Sequence, residues 1–238
     1  MVNTEEIKSY MKKYFQDEWG DPLDQDAYEI TSEGVVLTAQ HVSLSRKIPG
    51  GKLKVKLSHA EGDLNVEPHV TSLVNMPNTV DGDFTCAQCK LTTLEGGPSH
   101  VGASYDCGGN KLTSLAHAPV SVGVEFACDD NLLTDLLNAP KCQTLWAVNN
   151  PIRTLQGIPD HAGTVCVSWH ADLPLLPVVE WNRELFLHPA INATSQEEKL
   201  ISKKLYPIVA KYIGKGKAVM LNFALELKKH GFAGNARW

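Results

Sequence analysis

Residues 84–136 read FTCAQCKLTTLEGGPSHVGASYDCGGNKLTSLAHAPVSVGVEFACDDNLLTDL, and one phrase recurs within them. Cys86, Cys107 and Cys128 stand 21 residues apart, each two residues after a bulky ring: Phe84, Tyr105 and Phe126. Asn110 and Asn131 follow the second and third cysteines by three residues, and Leu112 and Leu133 come two residues later. The phrase is F-x-C-x-x-N-x-L-T-x-L. A fixed period of this length means a solenoid, in which each unit buries its apolar face only by stacking on its neighbours.

Working outward, the same alternating pair recurs as Val42/Leu44, Leu64/Val66, Phe84/Cys86, Tyr105/Cys107, Phe126/Cys128, Leu145/Ala147, Val165/Val167 and Leu185/Leu187. The steps between second members are 22, 20, 21, 21, 19, 20 and 20 residues. Every member is apolar or cysteine, which predicts a short strand with one buried face in each unit. Pro49, Pro77, Pro98, Pro119, Pro140, Pro159 and Pro177 fall between them, one per unit. Proline lacks a backbone donor, so the return segments are expected to be extended or turn-like rather than helical.

These phrases resemble the short leucine-rich repeats of tailed-phage and prophage proteins, with their L-T-S-L-x-G-x-P and D-F-x-C-x-x-N wording. The entry segment 28–49 and the ending GKGKAVMLNFALELKKHGFAGNARW are similar to the flanks of the same proteins, so the likeness spans about residues 26–238. It implies a mainly β solenoid of the leucine-rich-repeat type, with about eight repeats of 19–22 residues and short parallel strands. It also implies an asparagine ladder through the turns, kept here at Asn110, Asn131 and Asn150 and replaced by His69, Cys89 and His170. On activity the likeness is silent.

The expected organisation is an N-terminal helical cap at 1–25, the solenoid at 26–192 and a basic C-terminal helical module at 193–238. Residues 4–19 read as a helix with Thr4 as N-cap and a stripe of Ile7, Met11, Tyr14, Phe15 and Trp19. Ser195 and Glu198 have capping-box spacing; Pro207 suits a first turn, so the segment is split there, and a last helix runs from about Lys217 to Lys229. Residues 195–238 hold eight Lys and one Arg against three Glu, a net of +6, which leaves the rest of the chain at −11. No apolar run is long enough to span a bilayer and the first residues are charged, so a soluble, cytoplasmic protein with reduced thiols is expected.

Sites for chemistry are scarce. Cys86-x-x-Cys89 lacks the second close pair that zinc needs, and Cys86 has the inward phase, so no metal and no cofactor are expected. Cys128-Asp129-Asp130 superficially resembles the Cys-x-Asp of bacterial leucine-rich-repeat ubiquitin ligases, but a core cysteine is a poor nucleophile. The nine histidines show no ligand spacing, and GKGKAV at 214–219 lacks a phosphate-loop frame. Asn192-Ala193-Thr194 is a glycosylation sequon without relevance in a protein that is not exported. No catalytic residue is assigned.

The outward face carries more. Flanking the inward pairs are Asp63, Asp83, Asp106, Glu125, Asp129, Asp130 and Glu184, with Trp146, Trp169 and Phe186 among them and Arg46 the main basic interruption. An acidic, aromatic face of this kind suits a basic protein partner. The expected function is a non-enzymatic, phage-encoded binder of a host protein, acting in the host cytoplasm against defence or nucleic-acid handling. Two alternatives stay open: a minor virion or assembly component, and a nucleic-acid-associated protein or enzyme using the basic module. The module's lysines lack Arg and aromatic interleaving, which argues against base recognition.

Overall fold

The alternation becomes strand register in the computed structural model, which describes residues 3–44, 46–189 and 194–237. The strands are β1 (Tyr28–Ile30), β2 (Val35–Leu37), β3 (His41–Leu44), β4 (Leu57–Ala60), β5 (Asp63–Val66), β6 (Thr79–Val80) and β7 (Phe84–Thr85). They continue as β8 (His100–Val101), β9 (Tyr105–Asp106), β10 (Ser121–Val122), β11 (Glu125–Ala127), β12 (Thr144–Ala147), β13 (Thr164–Ser168) and β14 (Glu184–His188). An eight-stranded sheet runs β3-β5-β7-β9-β11-β12-β13-β14 with every neighbour parallel. Val42, Leu64, Phe84, Tyr105, Phe126, Leu145, Val165 and Leu185 stand directly opposite one another along it. The chain is a parallel β-solenoid of about eight turns.

The return segments hold more than extended chain. They contribute a second sheet, in the order β1-β2-β4-β6-β8-β10, parallel except for the β1–β2 pair. Between the two sheets four successive coils turn a tight corner on Gly62, Gly82, Gly102 and Gly123. A Cβ there would stand 2.2 Å from Gln40 O, 2.1 Å from Asp63 Oδ1, 2.1 Å from Asp81 O and 1.9 Å from Gly102 O respectively.

Two further columns of turns complete the coil. Gln88, Gly109, Asp130 and Asn149 adopt positive φ immediately before Cys89, Asn110, Asn131 and Asn150. Asn75, Gly96, His117, Asn138 and Gly157 do so two residues before the prolines at 77, 98, 119, 140 and 159. Left-handed backbone is tolerated best by Gly, Asn and Asp, which fill most of these positions.

The interior between the sheets is mainly apolar. Phe84, Tyr105 and Phe126 stack at 5.0 and 5.5 Å between centroids, and Cys86, Cys107 and Cys128 are completely buried beside them. Buried polar groups are bonded in the central coils. Asn110, Asn131 and Asn150 accept through Oδ1 from the amides of Leu91, Leu112 and Leu133, each within 3.0 Å, and donate through Nδ2 to carbonyls of their own coil and the preceding one. At Cys89 the thiol faces the carbonyls of Val66 and Glu67 at 3.4 and 3.3 Å. His170 fills the next step, Nε2 against Ile152 O while Nδ1 accepts from the Asp172 amide. His69 departs from the expected substitution: its buried Nε2 has no partner among the described residues.

At the amino end, α1 (Thr4–Tyr14) starts one residue earlier than Thr4 predicts as a cap, because Asn3 caps it and forms a box with Glu6. The helix ends at Tyr14, so the stripe breaks up: Met11, Tyr14 and Phe15 are buried, whereas Trp19 is 81% exposed. Gln16 and Ser43 exchange backbone hydrogen bonds of 2.9 Å in each direction, covering the outer edge of β3.

At the carboxyl end, α2 (Ser195–Leu200) passes through a π-helical turn at Ile201–Leu205 into α3 (Tyr206–Tyr212). Pro207 therefore does not split the segment; the wide turn before it absorbs the missing donor and the ring. The described capping box is Thr194 with Glu197; the side chains of Ser195 and Glu198, like the sequon residues Asn192 and Ala193, lie outside the described set. A final helix α4 (Met220–Lys229) buries Phe223 and Leu227. Among the described residues no helix is long and apolar enough to cross a membrane.

Candidate functional site

The outward positions of the eight-stranded sheet follow from its register: His41 and Ser43, Asp63 and Asn65, Thr85, Asp106, Glu125 and Ala127, Thr144 and Trp146, Thr164, Cys166 and Ser168, then Glu184, Phe186 and His188. None of these is Lys or Arg. The face divides into two halves with different chemistry.

In the amino-terminal half, the carboxylates are committed to the backbone. Asp63 Oδ1 accepts from the Asp83 amide at 2.8 Å, and Asp83 Oδ1 accepts from the Ser104 amide at 2.7 Å. Each aspartate thus ties its coil to the next at the corner. Asp63 also holds His41 Nδ1 at 2.7 Å. His41 lines with Glu18, Ser43 and Asp83 an open groove of about 380 Å³.

In the other half, the predicted residues converge. Asp106 Oδ1 accepts from the Gly108 amide at 2.8 Å, and the Asp106 and Asp129 carboxylates flank Gly108, 3.1 and 3.0 Å from where its Cβ would be. Asp130 is exposed and forms the left-handed turn (φ 51°). Trp146, Cys166 and Phe186 are consecutive in one cross-strand row. Phe186 is 42% exposed, but Trp146 is half-buried, its ring 5.0 Å from that of His188. The two rings reach across β13, and Cys166 beneath them is buried despite its outward phase. Glu184 is exposed at the near end of β14 and Glu125 half-buried in β11.

Trp169 does not belong to this face. It lies two residues beyond Val167, not one, so its ring turns to the end of the coil and packs edge-on against Phe232 at 6.3 Å. Its buried Nε1 has no partner among the described residues. His188, Cys166 and Ser168 were missed from the sequence. The period-2 extension of Val165/Val167 and Leu185/Leu187 would have placed all three.

Burial dominates the electrostatics. It raises the thiols of Cys86, Cys107 and Cys128 well above their ordinary range, and those of Cys89, Cys142 and Cys166 to about 11. These cysteines are protonated near neutrality and are poor nucleophiles. Among the described residues no group of three or more His, Cys, Asp or Glu is placed to hold a metal ion.

Asp129 is pushed up to about 6, first by desolvation and then by the neighbouring Asp130 and Asp106. A raised pKa means the folded state favours the proton. The resulting stability is complete below 3.8 and is lost as pH rises through about 6. Asp129→Asn removes that loss. The expected gain near neutral pH is about 1 kcal/mol, less than half the full conversion because the carboxyl is only half-buried. Thermal melting should show Asp129→Asn above the wild type by about 2–4 °C near pH 7, with the gap closing near pH 4. An equal gap at both pH values contradicts the assignment.

What the carboxyl-terminal half offers chemically is a shallow surface: carboxylates of graded burial beside a row of rings, ready to meet cations and apolar groups together. No family model matches this chain, and no curated protein and no solved structure matches it.

Proposed function

We propose that the protein is a non-enzymatic binding solenoid whose outward face on β9, β11, β12 and β14 engages a basic surface of another protein. The observation that carries the reading is the composition of that face: Asp106, Glu125, Asp129 and Glu184 around Trp146 and Phe186, with no lysine or arginine at any outward strand position of the sheet. Aromatic rings held in place by neighbours present large contact area at small entropic cost, and Trp is enriched at binding hot spots. The surrounding carboxylates would steer a cationic partner and fix its register.

We infer further that the coils are of the leucine-rich-repeat type, with α1 and the carboxyl-terminal helices acting as caps. The asparagine ladder, the L-x-x-L pairs after it, the Gln16–Ser43 bridge and the Tyr206 hydroxyl accepting from the Leu187 amide support that reading. The resemblance of these phrases to phage and prophage repeats makes a host protein, met in the host cytoplasm, the natural partner.

Trp146→Ala combined with Glu184→Lys tests the surface. Affinity for a partner isolated from host lysate should fall at least tenfold while the circular dichroism spectrum at the assay temperature stays that of the folded parent. Binding by the parent should weaken steeply between about 0.05 and 0.5 M NaCl. A partner held equally well by parent and variant would show that this is not the binding face.

A further inference from the structure

The basic carboxyl-terminal module answers the acidic face in both charge and polarity. On α4, Phe223 and Leu227 point into the protein, and Leu221 and Leu225 on the opposite side are 70% and 56% exposed. One turn further along that side are Lys228 and Lys229, both exposed and without a carboxylate partner among the described residues. Lys203, Lys204 and Lys215 add further exposed charge to a segment whose net is +6. The module is fixed at the β14 end of the solenoid by Phe232 against Trp169 and by Asn235, whose Nδ2 donates to His170 O and Leu173 O at 3.1 and 2.7 Å.

We propose that the Leu221/Leu225/Lys228/Lys229 stripe of one copy docks on the Glu125/Trp146/Glu184/Phe186 face of a second copy. This inference rests on the reading of that face as a binder of basic surfaces and names a partner for it. Apolar and cationic side chains on the stripe meet rings and carboxylates on the face, so both terms favour the same contact. The two surfaces are different patches of one chain, which makes the contact heterologous: each copy donates a stripe and receives another, and association continues head to tail until a ring closes. A face occupied in this way is shielded until a stronger basic partner displaces the stripe.

Two altered chains, one with the face reversed in charge and one with the stripe neutralised, test this by sedimentation. Glu125→Lys/Glu184→Lys disables the face and leaves the stripe; Lys228→Gln/Lys229→Gln does the converse without creating a stripe that the reversed face could take. Glu184, Lys228 and Lys229 are exposed and Glu125 is half-buried, and circular dichroism checks that both chains fold. At about 0.05 M NaCl the wild type should grow with concentration beyond its monomer mass of 26.0 kDa, and at about 0.5 M it should not. Each variant alone should stay monomeric. An equimolar mixture should give a dimer of one of each and nothing larger, because only one working face and one working stripe remain.

A wild type that stays monomeric at about 100 μM in low salt overturns the proposal. So does a mixture that stays monomeric, or a face-disabled chain that still associates. Poly-L-lysine, added in parallel, separates this failure from failure of the underlying reading. A monomeric wild type that binds it, with binding lost in Glu125→Lys/Glu184→Lys, retires self-association alone. A wild type that neither associates nor binds the polycation retires both.

Discussion

Asn131→Ala is expected to destabilise the folded chain by about 3 kcal/mol, a large share of the stability of a marginally stable solenoid. Asn131 is buried, accepts from Leu112 N at 2.9 Å, and donates to Cys107 O, Cys128 O and Asp129 O at 3.0, 3.2 and 3.0 Å. Alanine leaves the Leu112 amide stranded between coils, at about 1–3 kcal/mol for a buried unsatisfied group. It also removes one of the two donors at each of three carbonyls, Cys107 O, Cys128 O and Asp129 O, which keep Asn110 Nδ2, Asn150 Nδ2 and the Gly109 amide respectively. The site lies mid-stack, where each coil is held only by its two neighbours. Urea unfolding followed by tryptophan fluorescence is a suitable measure, because Trp146, Trp169 and Trp181 lie beyond the lesion and Trp19 before it. Asn131→Asp keeps the acceptor but points a carboxylate at three carbonyls, so it should be no better than alanine. A loss below about 1 kcal/mol for either variant would mean that water replaces the ladder.

The eight-stranded sheet was legible because it is written in repeated, phase-locked letters, and the ladder because the resemblance to leucine-rich repeats gave the recurring asparagine a role. Phe84, Tyr105 and Phe126 carry the strand phase, and Asn110, Asn131 and Asn150 the turn. The second sheet was not legible, since strands as short as Thr79–Val80 and His100–Val101 contain no alternation to detect. Phase also fixed which way Asp63 and Asp83 point, but not what they bond. Their carboxylates proved to be corner fasteners, bonded to the Asp83 and Ser104 amides of the next coil. Trp169 was misplaced by one residue of phase, which is all that separates the face from the end of a coil. Pro207 was read as a helix break on local rules, whereas the preceding π turn lets the helix continue.

The corner glycines were in plain sight at Gly62, Gly82, Gly102, Gly123 and Gly163, two or three residues before five of the eight inward pairs, and they carry the second large effect. Gly123→Ala is expected to cost about 3–5 kcal/mol, against about 1 kcal/mol for an ordinary substitution. The added Cβ would stand 1.9 Å from Gly102 O, a backbone atom that cannot swing aside. On one side Gly123 N donates to Val101 O at 3.0 Å, and on the other Gly102 N donates to Val80 O at 2.8 Å. Relief therefore requires parting two coils whose strands are held about 4.8 Å apart, which breaks several such bonds together. Gly163 supplies the contrast within the same column. A Cβ there meets only Gln143 O, at 3.6 Å, and its φ is not positive. Gly163→Ala should be neutral or stabilise by up to about 0.5 kcal/mol, through reduced freedom of the unfolded chain. Chemical denaturation of the two variants side by side decides the matter. Equal losses would mean that the corner needs glycine for flexibility; a loss confined to Gly123→Ala would mean that coil spacing sets the requirement.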